Sequence, residues 1–259
     1  MGNTELESPL VSIITPSYNQ GQFIQQTIDS VLNQTYSNIE LIVMDGGSKD
    51  NTLEILKSYE GRIKYVSEKD KGQTDAINKG LKLASGQILS FLNSDDYFYP
   101  DTVQKVVQAF QQDDCDWVTG DYQIVNAEGK PIQNAIAGYK RILRIFSSMN
   151  MIRITNYIIQ PGTFWRRELM EKIGMFDTSL RYVMDYDFWL RAYAVKKPVI
   201  LHQKLSAFRI HQQSKGGAQF VAQFDEEVQV LRRYCDNKWI VGLHGAHNVL
   251  ITTVYKIIK

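Results

Sequence analysis

The chain of 259 residues carries 29 basic and 28 acidic side chains, a formal net charge of +1, and 44% of its residues are hydrophobic. This composition is that of a folded globular protein and excludes both a disordered chain and the basic excess of nucleic-acid-binding proteins. The two cysteines, Cys115 and Cys235, form neither a disulfide framework nor a metal-ligand spacing, which favours a reducing cytoplasmic setting. The polar and acidic residues 1–8 predict no secretory signal there.

The first half of the chain alternates strand and helix signals. Short apolar runs predict strands at 11–15, 39–44, 63–66 and 88–92. Apolar residues at helical spacing predict helices at 21–32, after Asn51, at 74–84 and at 102–110. Helices of this length between strands indicate right-handed βαβ units and a largely parallel sheet.

The second half is less regular. It predicts a hairpin over 117–132, a helix with a mobile loop over 139–160, a return to the sheet at 162–165, a helix at 185–194 and a last strand at 205–210. From residue 219 onward the pattern is helical. Residues 239–258 are too polar for a confident membrane span, so they pack on the domain, lie on a membrane surface or form a subunit interface. We therefore predict one α/β domain over 1–215 and a helical C-terminal extension over 216–259.

All four predicted strands of the first half end in polar residues, at 15–19, 45–48, 68–72 and 93–96. A parallel sheet brings these ends to one edge, where they form a crevice. The adjacent carboxylates Asp95 and Asp96 are hard ligands that suit Mg²⁺ or Mn²⁺ together with a substrate phosphate. They could instead open a turn before the helix that Pro100 introduces. The glycine-rich phosphate-binding patterns are absent, so side chains and a metal would have to hold a nucleotide.

Four blocks of sequence carry a resemblance to a known family. They are VSIITPSYN at 11–19, ELIVMDGGS at 40–48, LNSDD at 92–96 and DYDFWLR at 185–191. At this spacing they resemble the signature blocks of the family 2 inverting glycosyltransferases with the GT-A fold, over about 11–211. The resemblance implies a single GT-A domain with a mostly parallel central sheet flanked by helices. It also implies transfer of a sugar, with inversion, from a nucleotide-diphosphate donor, with a UDP-sugar favoured, to an acceptor hydroxyl.

The resemblance implies a nucleobase pocket at the first two strand ends. Pro16, Tyr18 and Asn19 would line it, with Tyr18 against the face of the base. Asp45 would accept a hydrogen bond from a pyrimidine ring N–H, because an ionised carboxylate is only an acceptor. Tyr18 could instead be a half-buried loop aromatic, and Asp45 a turn or capping residue before Gly46 and Gly47.

A divalent metal, Mn²⁺ or Mg²⁺, is expected at the fourth strand end. By resemblance Asp96 would be its principal ligand, Asp95 would hold the ribose or share the metal, and His211 would complete the metal–diphosphate site. Nearby cationic and hydroxyl groups could meet phosphate charge: Arg209, Ser214 and Lys215. Each of these side chains could equally be structural or solvated.

The resemblance makes Asp185 the general base that deprotonates the acceptor hydroxyl. Many members of the family have a Glu just before this position, where Met184 stands in this chain. Residues two apart do not share a helix face, so Asp187 should have a different job, as a helix N-terminal residue, a partner of Arg191 or a contact to the donor or acceptor sugar. Asp185 could alternatively be a simple N-cap.

Four further residues complete the predicted site. Related chains commonly have an Arg where Ile77 lies, so Asp75 would take part in orienting the nucleotide. Asn93, Gly162 and Thr163 would face the donor or acceptor sugar, since glycine permits a close backbone approach.

Two other functions remain open from the sequence alone. A sugar-phosphate nucleotidyltransferase would share the scaffold but usually has a glycine-rich basic first loop, and a non-catalytic sugar-nucleotide-binding subunit would not need Asp185. The expected partners are a nucleotide sugar and a saccharide or lipid-linked acceptor in cell-surface polysaccharide or glycolipid synthesis, with no nucleic acid. The basic, apolar segment 139–160 and the tail favour a peripheral place at the inner membrane face or self-association.

Overall fold

A single sheet of eight strands organises the molecule. The computed structural model describes residues 8–212 and 220–258. Its strands are β1 Val11–Ser17, β2 Ile39–Asp45, β3 Lys64–Ser67, β4 Ile88–Phe91, β5 Tyr97–Phe98, β6 Trp117–Val125, β7 Thr163–Arg166 and β8 Val199–Arg209. Its helices are α1 Ile24–Leu32, α2 Thr52–Ser58, α3 Gln73–Leu83, α4 Thr102–Gln112, α5 Asn134–Ile145, α6 Met149–Ile154, α7 Arg167–Ile173, α8 Met184–Val195, α9 Phe220–Tyr234 and α10 Lys238–Ile258.

The strand order is β3-β2-β1-β4-β7-β6-β8-β5. Strands β3, β2, β1 and β4 are parallel to one another, and β6 is parallel to β8. Strand β7 is antiparallel to both of its neighbours, and β5 is antiparallel to β8. The prediction of a mostly parallel α/β sheet flanked by helices is confirmed, and the four strands of the first half lie within one or two residues of their predicted bounds.

Helices cover both faces of the sheet. Adjacent residues of β1 enter different cores: Ile14 packs with α3 and α8, and Ile13 packs with α1 and α4. Residues 41–44 of β2 divide between the two cores in the same way, which explains why their sequence is continuously apolar rather than alternating. Gly80 lets α3 approach β1 closely, since a Cβ at that position would lie 2.5 Å from Cγ2 of Ile14.

Three elements differ from their predictions. Strand β6 lies inside the sheet, and the predicted return of its hairpin is reduced to one bridge between Val125 and Pro131. The segment predicted as a helix with a mobile loop contains two helices, α5 and α6. Strand β8 begins six residues earlier than predicted, at Val199, because its first half pairs with β6 through a bulge near Asp121.

The C-terminal helices pack on the sheet domain. Helix α9 contacts α8 and helix α10 contacts α6, and Val230, Leu231 and His244 are fully buried. The opposite face of α10 exposes Trp239 and Val249, so its predicted membrane or subunit contact stays a prediction. Within the described ranges no helix combines the length and the apolar character that crossing a bilayer requires. The proposed domain boundary at 215 falls in 213–219, outside the described residues.

Candidate active site

The loops after β1, β2 and β3 meet at one edge of the sheet, as predicted. The parallel register pairs Ser17 with Asp45 and Asp45 with Ser67. One residue further, Gly46 N donates to Ser17 O at 2.8 Å and Glu68 N donates to Asp45 O at 2.9 Å. The three loops therefore start level with one another.

The Asp45 carboxylate is turned into the protein. Only 2% of the residue is exposed, and its Oδ2 accepts from Gly47 N at 3.2 Å, Ser48 N at 3.1 Å and Ser67 Oγ at 2.6 Å. Its Oδ1 accepts from Ser48 Oγ. With its acceptor positions occupied, Asp45 closes the turn after β2. The structure therefore favours the turn alternative over the predicted contact to a nucleobase.

Tyr18 and Asn19 follow β1 with different environments. Tyr18 is 59% exposed, and its ring is available to a ligand at this edge. Asn19 has a positive φ of 53° and connects two loops: its N donates to Ser48 Oγ at 2.7 Å, and its Oδ1 accepts from Lys49 N at 2.7 Å. Pro16 is buried within β1. The predicted contacts of these residues with a base stay predictions.

Asp75 closes the first turn of α3. Its Oδ2 accepts from Lys71 N at 3.1 Å and lies 3.4 Å from Lys79 Nζ. The hydrogen bond from Lys71, with the neighbouring lysine charge, lowers the pKa of Asp75. One turn later, Asn78 binds the backbone of Phe176 through both ends of its amide, at 2.8 and 3.2 Å. These contacts orient α3 against the later part of the chain.

Asp95 and Asp96 have separate environments at the end of β4. The side chain of Asp95 is 19% exposed, and its Oδ2 lies 2.9 Å from Nε2 of His211. Asp96 is 1% exposed, and its oxygens accept from Arg209 N at 2.8 Å and Asn93 Nδ2 at 3.2 Å. Burial and the neighbouring Asp95 charge raise the pKa of Asp96. The predicted role of Asp96 as principal metal ligand stays a prediction, and the geometry favours Asp95 for it.

Arg209 is a structural residue, contrary to the expectation that it meets phosphate. It is 3% exposed, and its guanidinium donates to Asp95 O at 2.8 Å and Ala127 O at 2.6 Å. The same group lies 4.8 Å from the ring centroid of Phe23. Arg209 therefore holds the turn that carries Asp95. Ser214 and Lys215 lie outside the described residues.

The pair formed by Asp95 and His211 fits a divalent cation. A carboxylate oxygen and an imidazole nitrogen converge, and both are ligands of Mn²⁺. Within 8–212 and 220–258 no cluster of three or more acidic, histidine or cysteine side chains forms a candidate cage. Two protein ligands are nevertheless enough for a cation whose remaining positions go to substrate phosphates and water.

Asp185 lies in the first turn of α8. It is partly buried, and burial raises the pKa of its carboxyl to about 6; the charge of Glu227 adds to this rise, and the Tyr186 N–H and Lys140 oppose it. Among the described residues no basic side chain lies within ion-pair distance of it. An unpaired carboxyl with a pKa near neutrality has the properties of a general base.

Asp187, two residues along, is part of the interior. It is 2% exposed, and its oxygens bind Arg191 Nη2 at 2.8 Å and the Tyr234 hydroxyl at 2.7 Å. The predicted partnership with Arg191 is confirmed. The predicted sugar contact stays a prediction, and the engagement of both oxygens inside the protein argues against it.

A chain of contacts joins the start of α8 to the end of β4. Thr74 Oγ1 lies 2.8 Å from Met184 Sδ, next to Asp185. The adjacent Gln73 donates to Asn93 Oδ1 at 2.7 Å, and Asn93 donates to Gln160 Oε1 at 3.0 Å. The first turn of α3 therefore connects the candidate base to the strand end that carries Asp95.

Two of the residues predicted to contact a sugar lie in the interior of the protein, in or next to the sheet. Thr163 is fully buried in β7, and its hydroxyl binds Thr119 Oγ1 at 2.9 Å and Ile159 O at 2.6 Å. Gly162 is also buried and packs against Gly120 and Ser206. The contacts predicted for Thr163 and Gly162 stay predictions, and the burial of both residues argues against them. Asn93, partly exposed at the junction just described, keeps its predicted role as a prediction.

Sequence reasoning missed three residues at this edge: Gln160, Asp70 and Glu226. Gln160 bridges Asn93 and the backbone of Phe91. Asp70 lies in the polar block after β3 and could have been singled out there. Glu226 accepts from three consecutive backbone N–H groups just before α8, at 3.0, 2.7 and 3.0 Å, and nothing in the helical pattern around it signals this contact.

The chain is similar in sequence to one protein family and in fold to several solved structures. The profile of "Glycosyl transferase family 2" matches residues 12–174. An uncharacterized glycosyltransferase of Rickettsia typhi is 34% identical over 212 residues, which cover 79% of this chain and 65% of the relative. The chain thus spans about two thirds of that protein.

Two solved structures share the fold. Residues 1–349 of Staphylococcus aureus TarS, in complex with UDP-GlcNAc, superpose with a TM-score of 0.69 at 20% identity, over 92% of this chain and 69% of that one. A mannosyltransferase from Pyrobaculum calidifontis, in complex with GDP-Man and Mn²⁺, gives a TM-score of 0.67 at 17% identity, over 96% of this chain and 76% of that one. These likenesses confirm the GT-A architecture.

Proposed function

Because the chain belongs to glycosyl transferase family 2, we propose that it is a glycosyltransferase that transfers a sugar from a nucleotide-diphosphate donor to an acceptor hydroxyl with inversion. One observation carries this proposal. Met184, the residue before the unpaired Asp185, contacts the start of α3, which in turn binds Asn93 at the strand end where Asp95 lies against His211. A base and a candidate site for a charged diphosphate thus belong to one contact network.

Asp185 acts as the general base in this proposal. The acceptor oxygen attacks the anomeric carbon while its proton passes to a carboxylate oxygen of Asp185. The bond from the anomeric carbon to the diphosphate oxygen breaks, and its electron pair leaves with the nucleoside diphosphate. Attack from the face opposite the leaving group inverts the anomeric configuration. A pKa of about 6 keeps Asp185 ionised at neutral pH but more basic than an ordinary aspartate.

Asp95 and His211 would hold a divalent cation beside the diphosphate, with Mn²⁺ and Mg²⁺ as the candidates. Such a cation neutralises charge on the leaving group. Support comes from the converging ligands and from the mannosyltransferase neighbour, which was solved with GDP-Man and Mn²⁺. Asp96 and Arg209 keep the turn in place: Asp96 accepts from the backbone of Arg209, whose guanidinium binds the carbonyl of Asp95.

A UDP-sugar is the donor that we favour. The TarS neighbour was solved with UDP-GlcNAc, and the exposed ring of Tyr18 offers a surface for a base at the expected edge. The acceptor is proposed to be a saccharide or lipid-linked saccharide of cell-surface polysaccharide or glycolipid synthesis. The match covers 65% of the Rickettsia typhi relative, so the acceptor of the whole protein is part of this proposal.

A nucleotide-sugar panel tests the function. The purified protein is mixed with Mn²⁺ and UDP-, GDP-, dTDP- and CDP-sugars, melting temperature is recorded, and released nucleoside diphosphate is assayed with and without saccharide acceptors. We expect stabilisation by one donor class and its slow hydrolysis. Pyrophosphate release from a nucleoside triphosphate and a sugar 1-phosphate would instead indicate a nucleotidyltransferase. Donor binding without hydrolysis or transfer would indicate a non-catalytic binding subunit.

Peripheral contact with a membrane is part of the same proposal. Helix α5 exposes Ile142 and Ile145, and Phe146 follows it. Arg141 on the same helix lies with its Nε 3.1 Å from Asp121 Oδ2 and keeps 59% of its side chain exposed. Apolar side chains beside a cation are typical of a helix that lies on anionic lipid. Co-sedimentation with phosphatidylglycerol vesicles tests this part. Absence of binding removes the membrane contact, and a dimer in solution would point to self-association through this face.

A further inference from the structure

We propose that Asp70 is the residue that recognises the nucleobase of the donor, by accepting a hydrogen bond from a ring N–H. This inference rests on the proposed nucleotide-sugar function and names the class of base that the site selects. Uracil, thymine and guanine carry such a ring N–H donor, whereas the corresponding ring nitrogens of cytosine and adenine are acceptors.

The first argument is the position of the Asp70 carboxylate. A Cβ built on Gly46 would lie 2.7 Å from Asp70 Oδ2 and 3.2 Å from its Cγ, and the three closest atoms all belong to Asp70. The carboxylate therefore occupies the space into which a side chain at position 46 would project. Position 46 is the first residue beyond β2, at the carboxyl edge of the sheet.

The second argument is the level of Gly46 relative to Tyr18. The register of β1 and β2 ends with Ser17 opposite Asp45, and Gly46 N still donates to Ser17 O at 2.8 Å. One step further along both strands, Tyr18 and Gly46 come level. The backbones that carry the exposed Tyr18 side chain and face the Asp70 carboxylate therefore leave the sheet at the same height.

The third argument is the hydrogen-bonding capacity of the two carboxylates. Asp45 receives four hydrogen bonds from its own turn and from Ser67. Asp70 receives one, at Oδ1 from Gly72 N at 2.8 Å, and across the described part of the chain its Oδ2 has no hydrogen bond or ion pair. Asp70 is also partly exposed, whereas Asp45 is buried. Of the two, only Asp70 has an oxygen available to a ligand.

Gly46 makes this arrangement possible. Any side chain there would collide with the carboxylate or displace it, so the position of Asp70 depends on the absence of a side chain at position 46. The φ of Gly46 is not in the left-handed region, so the backbone itself would accept another residue. A carboxylate can therefore be moved experimentally from position 70 to position 46.

The test measures the ratio of UDP to CDP dissociation constants by calorimetry with Mn²⁺. The wild type should prefer UDP by about ten- to a hundredfold, the range of one hydrogen bond to a charged group. Asp70→Asn, whose amide can either donate or accept, should bring the ratio close to one, and Asp70→Ala should do the same. The double variant Gly46→Asp with Asp70→Ala should restore the preference. Asp113→Asn, an exposed residue remote from this edge, is the matched control.

The outcomes separate the inference from the proposed function. An unchanged UDP preference in Asp70→Asn, or a preference abolished by Asp45→Asn instead, would overturn the role of Asp70 and leave nucleotide-sugar binding intact. Equal affinities of the wild type for UDP, GDP and CDP would also overturn it. If no nucleoside diphosphate binds to the wild type with Mn²⁺, the proposed function fails and the inference fails with it. Melting temperatures of all variants show which of them are folded.

Discussion

The two halves of the site are held in different ways. At the strand ends of the first half, neighbours in the same loop or the next strand hold the side chains, as Ser48 and Ser67 hold Asp45. At the start of α8, by contrast, the backbone before Asp185 is held by Glu226, more than forty residues later. The nucleotide side is therefore a local construction, and the base side depends on the C-terminal helices.

The carboxylates of the site form two sets, one buried and one partly exposed. Asp45, Asp96 and Asp187 are buried and fully engaged, and they shape the site. Asp70, Asp95 and Asp185 each lie partly exposed at the edge. Substitution in the first set should cost mainly stability, and substitution in the second set should cost mainly function.

Asp185→Asn should lower turnover by about 10²- to 10⁴-fold, the usual contribution of a positioned general base. Donor affinity should stay close to that of the wild type, because the base acts on the acceptor. Steady-state rates and calorimetric donor binding, with Asp113→Asn as the control, measure both quantities. Retained turnover would remove Asp185 from the mechanism and leave α8 as a structural helix.

Asp95→Asn should weaken the Mn²⁺-dependent part of nucleotide affinity by at least about a hundredfold. Substituting a residue that only supports a metal ligand typically costs about 10- to 100-fold in metal affinity, and substituting the ligand itself should cost more. Asp96→Asn should lower the melting temperature and change Mn²⁺ dependence much less. Calorimetry with and without Mn²⁺ compares the two variants. The reverse order would restore Asp96 as the principal metal ligand.

The sequence predicted features that depend on local patterns better than features that depend on contacts in the folded chain. The apolar runs that became β1, β2 and β4 are local, and their parallel pairing placed the polar ends together. Which carboxylate of a block faces outward is a tertiary property, so Asp45 and Asp96 received roles that their burial argues against. Thr163 is buried where β7 pairs with its neighbouring strands, and the turn that contains Ser48 donates hydrogen bonds to the Asp45 carboxylate. Neither contact produces a periodic pattern in the sequence.

Glu226 marks the limit of such reasoning, because only the folded chain shows its contact. Glu226→Gln removes one acceptor oxygen from three backbone donors and should lower unfolding stability by about 1–3 kcal/mol. Misplacement of Asp185 should lower turnover by about ten- to a hundredfold. Donor affinity should not change, since the nucleotide half does not use α9.

A positioning role for Glu226 has its own signature. The exposed neighbour Asp225 provides the control variant Asp225→Asn, which should leave both turnover and melting temperature at the wild-type values. Loss of donor affinity in Glu226→Gln would contradict the independence of the two halves. Loss of stability with normal turnover would mean that Glu226 contributes to stability and does not position Asp185.

Asp185→Asn should also stabilise the protein at neutral pH. The folded pKa of about 6 exceeds the ordinary value of about 3.9, so folding favours the protonated carboxyl. Wild-type stability is therefore lost as pH rises from about 4 through 6, by about 1–2 kcal/mol after allowance for solvent screening. The neutral amide avoids this loss. Melting curves should show a higher midpoint for the variant at pH 7.5 and no difference below pH 4; a lower midpoint at pH 7.5 would contradict the raised pKa.

The smallest effect should come from Glu227→Gln. Glu227 is buried on α9, and its charge adds to the effect of burial on Asp185, while Lys140 acts in the opposite direction. Because the base works only when ionised, turnover should fall below a pH of about 6 in the wild type. Removing the Glu227 charge should lower the pKa of Asp185 and shift this acid limb to lower pH by a fraction of a unit. A pH–rate profile of both proteins measures the shift. An unmoved limb would mean that the C-terminal helices position the base through Glu226 without tuning its charge.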